Sequence, residues 1–172
     1  MYLLAHFAFG LAAADLARRF RGRPARVDFR WILLGAVLPD LIDKPFGFAL
    51  GLSGRTWGHT ALFSLVLTLS GLILLRRGSA PSAWLAFGSW THLLLDQMWG
   101  MPPTLLYPLF GWTFPPGDRS LLGYLLVLLT DPVVQIGEVI GGVVLLAMAW
   151  QYGVRDWPAL RRFLATGDVP LR

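Results

Sequence analysis

The chain has no cysteine and few charged residues. The absence of cysteine excludes disulfides and thiolate metal sites, but it leaves the cellular compartment open. Charged residues make up 15% of the 172 residues and apolar residues 55%, whereas a soluble domain carries about a quarter charged residues. With a mean hydropathy of +0.57, this composition is typical of a single domain that lies in a lipid bilayer.

Five apolar segments predict an all-α membrane bundle. Each has close to the roughly 20 residues that cross a hydrocarbon core, and they are 2–17, 31–50, 59–75, 81–99 and 132–150. The first segment lacks a basic start, so we interpret it as a retained helix and not as a signal peptide. The apolar piece 121–130 is too short to cross alone, and Asp131-Pro132 after it is typical of a helix start.

We therefore expect a polytopic integral membrane helical bundle with about five transmembrane helices and an additional short interfacial or re-entrant helix. A single transmembrane domain would cover residues 1–155, and residues 156–172 would form a short basic cytoplasmic tail.

The arginines predict which side of the membrane each loop occupies. Six lie within residues 18–30, two are Arg76 and Arg77, and the other four are Arg155, Arg161, Arg162 and Arg172 near the C-terminus. With five crossings all of these fall on one side, which the positive-inside rule assigns to the cytoplasm of a cell membrane. The bilayer is the expected partner, with anionic headgroups at the 18–30 loop. No nucleic acid is expected, because no aromatic-interleaved binding surface accompanies the arginines.

The ionisable residues within the predicted spans gather near their outer ends. One charged group at mid-depth costs roughly 2.5–3.5 kcal/mol, so such a cluster requires that its members meet each other, water or a metal. Imidazole and carboxylate ligands without thiolate suit zinc, or manganese or iron. Apart from Asp15 beside the arginines, the set consists of His6, Asp40, Asp43, His59, His92, Asp96 and Glu138.

Each member also has a purely structural interpretation when it is taken alone. His92 and Asp96, four apart on one helix face, could be a hydrogen-bonded pair, and Pro39-Asp40 could break a helix. Asp43 could pair with Lys44, while Glu138 could be an interhelical hydrogen-bonder. Arg55 suits a bidentate grip on a phosphate or carboxylate, but it could also be an interfacial anchor. None of these explains why the ionisable residues lie at one depth.

The order AH (5–6), LPDLIDKP (38–45), GRTWGHT (54–60) and WTHLLLDQMWGMPPTLLYP (90–108) resembles the YdjM-like family of membrane-bound metal-dependent hydrolases. It is also similar, more distantly, to the zinc-dependent phospholipase C and single-strand nuclease superfamily. This resemblance implies that a divalent metal, most typically zinc, is held by His6, Asp40, His59, His92 and Asp96, with Asp43 in or beside the shell. Because no histidine remains beyond HxxxD, we expect one ion, or two that share aspartates.

The resulting prediction is a membrane-bound hydrolase that uses metal-activated water on a phosphoester or lipid-borne substrate, with its site facing the extracytoplasmic side. Asp43 or Glu138 would be the general base, and Arg55 would hold an anionic substrate group. Two alternatives stay open, namely a metal-ion or proton transporter and a metal-stapled scaffold without catalysis. The transporter is disfavoured because only hydroxyl residues such as Ser64 continue the polar path toward the cytoplasm.

Overall fold

The computed structural model describes residues 3–20, 27–117 and 121–167, and within these ranges the chain is all-α, as predicted. The helices are α1 (Leu3–Phe20), α2 (Phe29–Leu50), α3 (Ala61–Arg76), α4 (Pro81–Leu95), α5 (Pro102–Leu105), α6 (Leu121–Thr130), α7 (Pro132–Gln151) and α8 (Trp157–Thr166). Two 3-10 turns, Trp57–His59 and Met98–Gly100, lie in the connections.

Side-chain caps fix where several of these helices begin. The Asp131 carboxylate accepts hydrogen bonds from the first N–H groups of α7, and Pro132 occupies the first helical position, as the sequence predicts. Asp28, Thr60 and Asp156 cap α2, α3 and α8 in the same way. Each cap satisfies N–H groups that have no partner within the helix.

Helix α2 is central, and it packs against α4 and α1, while α3 packs on α4 and α7 packs on α1. Two of these crossings are close because glycine lies at them. A Cβ at Gly88 of α4 would collide with the backbone of α2, and a Cβ at Gly141 of α7 would lie 2.6 Å from the Ala5 nitrogen of α1. These close approaches join α4 to α2 and α7 to α1.

The prediction of about five transmembrane helices is wrong for the described part of the chain. Only α7 is both long and apolar enough to cross a bilayer, with 20 residues, a mean hydropathy of 1.9 and 6% of its span buried. Helix α1 ends in the charged residues Asp15, Arg18 and Arg19, and α2 carries four charged residues within its length. Helix α4 has 15 residues, about 22 Å at 1.5 Å per residue, against a core of about 30 Å.

This correction removes the basis on which the loops were assigned to sides, since that assignment required five crossings. The arginine-rich loop lies partly outside the described residues, at 21–26. The segment predicted as a tail contains α8, whose C-terminal end meets the start of α2 through a 2.9 Å hydrogen bond from the Phe29 nitrogen to the Gly167 oxygen.

Candidate metal centre

Two imidazole rings face each other at the centre of the candidate site. His59 ends the 3-10 turn that follows α2, and His92 lies in the last turn of α4. Their Nε2 atoms are 3.1 Å apart, and both residues are fully buried. The other ring nitrogen of each is engaged: His59 Nδ1 lies 2.7 Å from Asp43 Oδ2, and His92 Nδ1 lies 2.7 Å from the Ala36 carbonyl oxygen.

These partners determine where the protons are. A carbonyl or a carboxylate oxygen only accepts, so both Nδ1 atoms carry the hydrogen and both Nε2 atoms present lone pairs to each other. Two lone pairs at this separation repel unless a proton or a cation lies between them. Two nitrogens bound to zinc at tetrahedral angles are about 3.3 Å apart, so the pair has close to the spacing that one ion requires.

His6, Asp40 and Asp96 complete the cluster. The His6 ring, from α1, stacks on His92 at 4.3 Å between centroids, and its Nε2 lies 3.3 Å from Asp96 Oδ1. Asp40 Oδ1, from α2, lies 3.6 Å from His59 Nε2. Ligand atoms lie within 4.8 Å of one another both for His6, His92 and Asp96 and for Asp40, His59 and His92. All five residues predicted as ligands therefore converge.

Asp43 is a buried carboxylate that positions the His59 turn. Besides the His59 ring, it accepts hydrogen bonds from the backbone nitrogens of Thr56, Gly58 and His59, at 2.6, 2.8 and 3.1 Å. Burial alone would raise the pKa of Asp43, but the hydrogen bonds from His59 and Gly58 outweigh it and lower that pKa. With all these contacts and no exposed surface, Asp43 orients the His59 ring and is closed off from solvent.

The pKa values of the two facing histidines are shifted in opposite directions. Burial lowers the pKa of His92 to about 4, and nearby His6 acts in the same direction. Burial would also lower the pKa of His59, but contacts with Asp43 and Asp96 raise it overall. His59 is therefore protonated at a higher pH than His92, and a cation that binds between the two rings competes with that proton.

Two cations border the cluster on its acidic side. Arg55 donates from Nε and Nη2 to Asp96 Oδ2, at 3.0 and 2.8 Å, and the Lys44 Nζ lies 2.7 Å from Asp40 Oδ2. Burial would raise the pKa of Asp96, but His59, His6 and Arg55 lower it. The Nη1 atom of Arg55 donates to Met101 Sδ at 3.6 Å. The side chain is 37% exposed, so the guanidinium holds Asp96 through one edge and is still partly open to solvent.

A cavity of about 300 Å³ opens beside the cluster and reaches two of its ligands, His6 and Asp40. Most of its wall is apolar, and Lys44 lies at its edge. The remaining lining residues are Leu3, Val37, Leu41 and Pro45. A ligand that enters here meets an apolar surface, a cation and the edge of the cluster.

Most of the chain matches a known family. The profile of the YdjM inner membrane protein family matches residues 1–159. The chain belongs to this family. Searches of curated proteins and of solved structures find no match. The family confirms the predicted resemblance and a membrane location, whereas zinc and hydrolysis stay predictions.

In this YdjM family member, Glu138 lies apart from the cluster contacts. Its carboxylate oxygens accept hydrogen bonds from the Leu4 and Ala5 nitrogens, each at 3.1 Å, so Glu138 caps the start of α1 from α7. The geometry thus supports neither Glu138 nor Asp43 as a general base. The Ala36 carbonyl was not predicted as part of the site, because a backbone acceptor leaves no signal in the sequence.

Proposed function

We propose that this YdjM family member is a metal-dependent hydrolase of the inner membrane that acts on an anionic, lipid-borne substrate such as a phosphoester. The observation that carries the proposal is the pair of imidazole Nε2 atoms of His59 and His92, which face each other at 3.1 Å. Each ring is fixed from behind by an acceptor, the arrangement by which proteins orient metal-bound histidines.

The ion would be zinc, or manganese or iron, because the donors are imidazole nitrogens and carboxylate oxygens. A bound ion of this kind lowers the pKa of its water toward about 7 and polarises the substrate. The residues that would hold it are His6, Asp40, His59, His92 and Asp96.

Arg55 and the adjoining cavity support an anionic substrate with an apolar part. The guanidinium can keep its contact with Asp96 through one edge and grip a phosphate or carboxylate oxygen with its remaining N–H groups. Lys44 adds a second positive charge where Asp40 meets the cavity. The apolar wall of the cavity would bury the hydrocarbon part of the substrate, which is a requirement for a lipid and not for a small soluble phosphoester.

The site would face the extracytoplasmic side. Arg155, Arg161 and Arg162 follow the C-terminal end of α7, so the positive-inside rule assigns that end to the cytoplasm. Glu138, near the N-terminal end of α7, is hydrogen-bonded to Ala5, the residue before His6. The cluster would therefore lie toward the outer end of α7.

The test is metal content and turnover measured on the same purified samples. The full chain in detergent would be compared with His92→Ala, Asp40→Asn and, as a matched control, Asp156→Asn at the exposed N-cap of α8. We expect about one or two bound ions and hydrolysis of a phosphomonoester or phosphodiester probe. Turnover should fall more than about a hundredfold in His92→Ala, beyond the effect typical of an outer-shell change, and stay unchanged in Asp156→Asn.

Two outcomes would replace the proposal with a rival. Metal bound without turnover, together with metal flux into liposomes that His92→Ala abolishes, would assign a transporter. Metal bound with neither turnover nor flux, and with a higher melting temperature, would assign a metal-stapled scaffold. Equal metal content in all four proteins would reject the site itself.

A further inference from the structure

A second cavity, of about 260 Å³, lies between α1, α2, α7 and α8, and shares no lining residue with the metal centre or the cavity beside it. Its wall contains no charged side chain. Six of its lining residues, at least one from each helix, are Leu11, Leu33, Met148, Ala149, Leu160 and Phe163. A cavity with so apolar a wall fits a hydrocarbon chain better than any polar ligand.

The wall contributed by α7 relates this cavity to the bilayer. Met148 and Ala149 lie in the last turn of the one helix that can cross a membrane in the described part of the chain, and that helix is only 6% buried. Tyr152, which also lines the cavity, follows directly after the helix, and Trp150 in the last turn is 67% exposed, as is typical of aromatic residues that border headgroups. The cavity is therefore next to the end of a lipid-facing helix, where acyl chains meet headgroups.

Several arginines lie next to residues that line this cavity. Arg19 donates from Nη2 to the Tyr152 hydroxyl at 2.9 Å, and the Arg155 guanidinium lies 3.7 Å from the Trp150 ring centroid. Helix α8 places Leu160 and Phe163 in the cavity wall and leaves Arg161 and Arg162 exposed. An apolar chamber with a basic rim is complementary to an anionic phospholipid, whose charge and acyl chains are similarly arranged.

We propose that α8, the first half of α1, the start of α2 and the end of α7 form a binding site for one anionic phospholipid. An acyl chain would occupy the cavity, and the exposed Arg161 and Arg162 of α8, together with Arg19 and Arg155, would attract the headgroup phosphate. The site is independent of hydrolysis at the metal centre.

The experiment is native mass spectrometry of the full chain in detergent with phosphatidylglycerol or phosphatidylcholine of identical acyl chains. Ala149→Leu fills the cavity, and Ala147→Leu on the exposed side of the same helix is its control. We expect one retained phosphatidylglycerol, with an affinity about tenfold lower in Ala149→Leu, the effect of withholding roughly two methylene groups from an apolar site. Ala147→Leu should bind as the wild type does.

A charge series tests the headgroup. Arg161→Gln with Arg162→Gln should lower the preference for phosphatidylglycerol over phosphatidylcholine by roughly tenfold, whereas Arg76→Gln with Arg77→Gln removes the same charge after α3 and should not. Equal lipid binding by the two alanine variants, each with wild-type helicity, would overturn the proposal. So would equal lipid preference in the two arginine pairs, or a lipid-free dimer in which Ala149→Leu dissociates the subunits.

Discussion

Replacing Asp43 with asparagine tests whether a buried carboxylate organises the candidate metal centre. The two side chains have nearly the same shape, so the change removes charge and acceptor capacity without opening a cavity. Asp43 Oδ2 receives three donors, the Thr56 nitrogen, the His59 nitrogen and His59 Nδ1, while Oδ1 receives the Gly58 nitrogen. Asparagine has one oxygen, so its NH2 group must point toward at least one of these donors.

The less costly orientation keeps the oxygen on the Oδ2 side and turns the NH2 toward Gly58. One charge-assisted hydrogen bond is then lost, at about 1.5–3 kcal/mol, and a buried N–H is left unsatisfied, so we expect a total of roughly 2–4 kcal/mol. For a chain of this length that corresponds to a melting temperature about 5–15 °C lower. Metal affinity should also fall about 10- to 100-fold, because His59 loses the anion that orients it and raises its basicity.

Thermal unfolding by circular dichroism and zinc titration against a chelator of known affinity measure the two effects separately. Asp156→Asn is the matched control, since it removes a carboxylate from an exposed helix cap and should leave zinc affinity unchanged. Wild-type zinc affinity in a folded Asp43→Asn protein would refute the role assigned to Asp43. If Asp43→Asn lowers the melting temperature no more than Asp156→Asn does, the estimated cost of the lost hydrogen bond is refuted.

Three further changes have expected outcomes. Asp15→Asn should lower the melting temperature at pH 7. Hydrogen bonds outweigh burial and lower the pKa of Asp15 below 3.8, and protonation removes its ion pairs. The difference in melting temperature from the wild type should therefore shrink as the pH falls below 3.8. Gly88→Ala should destabilise the fold by roughly 1–3 kcal/mol, measured by denaturant unfolding, whereas Gly137→Ala, which meets open space, should not. Glu138→Gln should lower the melting temperature by a few degrees, because one of two acceptors for the first N–H groups of α1 is lost.

Helix positions could be predicted from the sequence wherever a local signal exists. Asp131-Pro132 determines the start of α7, and the apolar piece 121–130 forms α6. The end of α4 could not be predicted: the helix stops at Leu95 because Gln97 adopts a left-handed conformation with φ of 53°, which is rare for residues other than glycine. For that reason the helix in the segment 81–99, which was expected to form one span, ends after 15 residues.

The residues of the candidate site could be predicted from the sequence, but the contacts between them could not. Histidine and aspartate are rare enough in this chain that five of them could be identified from spacing and order. Which oxygen faces which nitrogen depends on the packing of α1, α2 and α4, so the support from Ala36 and the pairing of Arg55 with Asp96 required coordinates. Asp43 was predicted to lie in or beside the metal shell. Its spacing from Asp40 places both on one helix face and does not distinguish a ligand from a supporting carboxylate.

The number of membrane spans was predicted wrongly because the charged residues of α1 and α2 form polar contacts inside the protein. Hydropathy counts apolar residues whether they face lipid or a neighbouring helix, and α2 has enough of them to appear as a span. Its charged residues Asp40, Asp43 and Lys44 are the ones that contact the histidine cluster. In α1, the charged residues Asp15 and Arg19 exclude the helix as a membrane span, and they contact Tyr152 beyond the end of α7. A segment of this chain that is apolar but carries compensated charge is therefore better interpreted as the wall of a site than as a span.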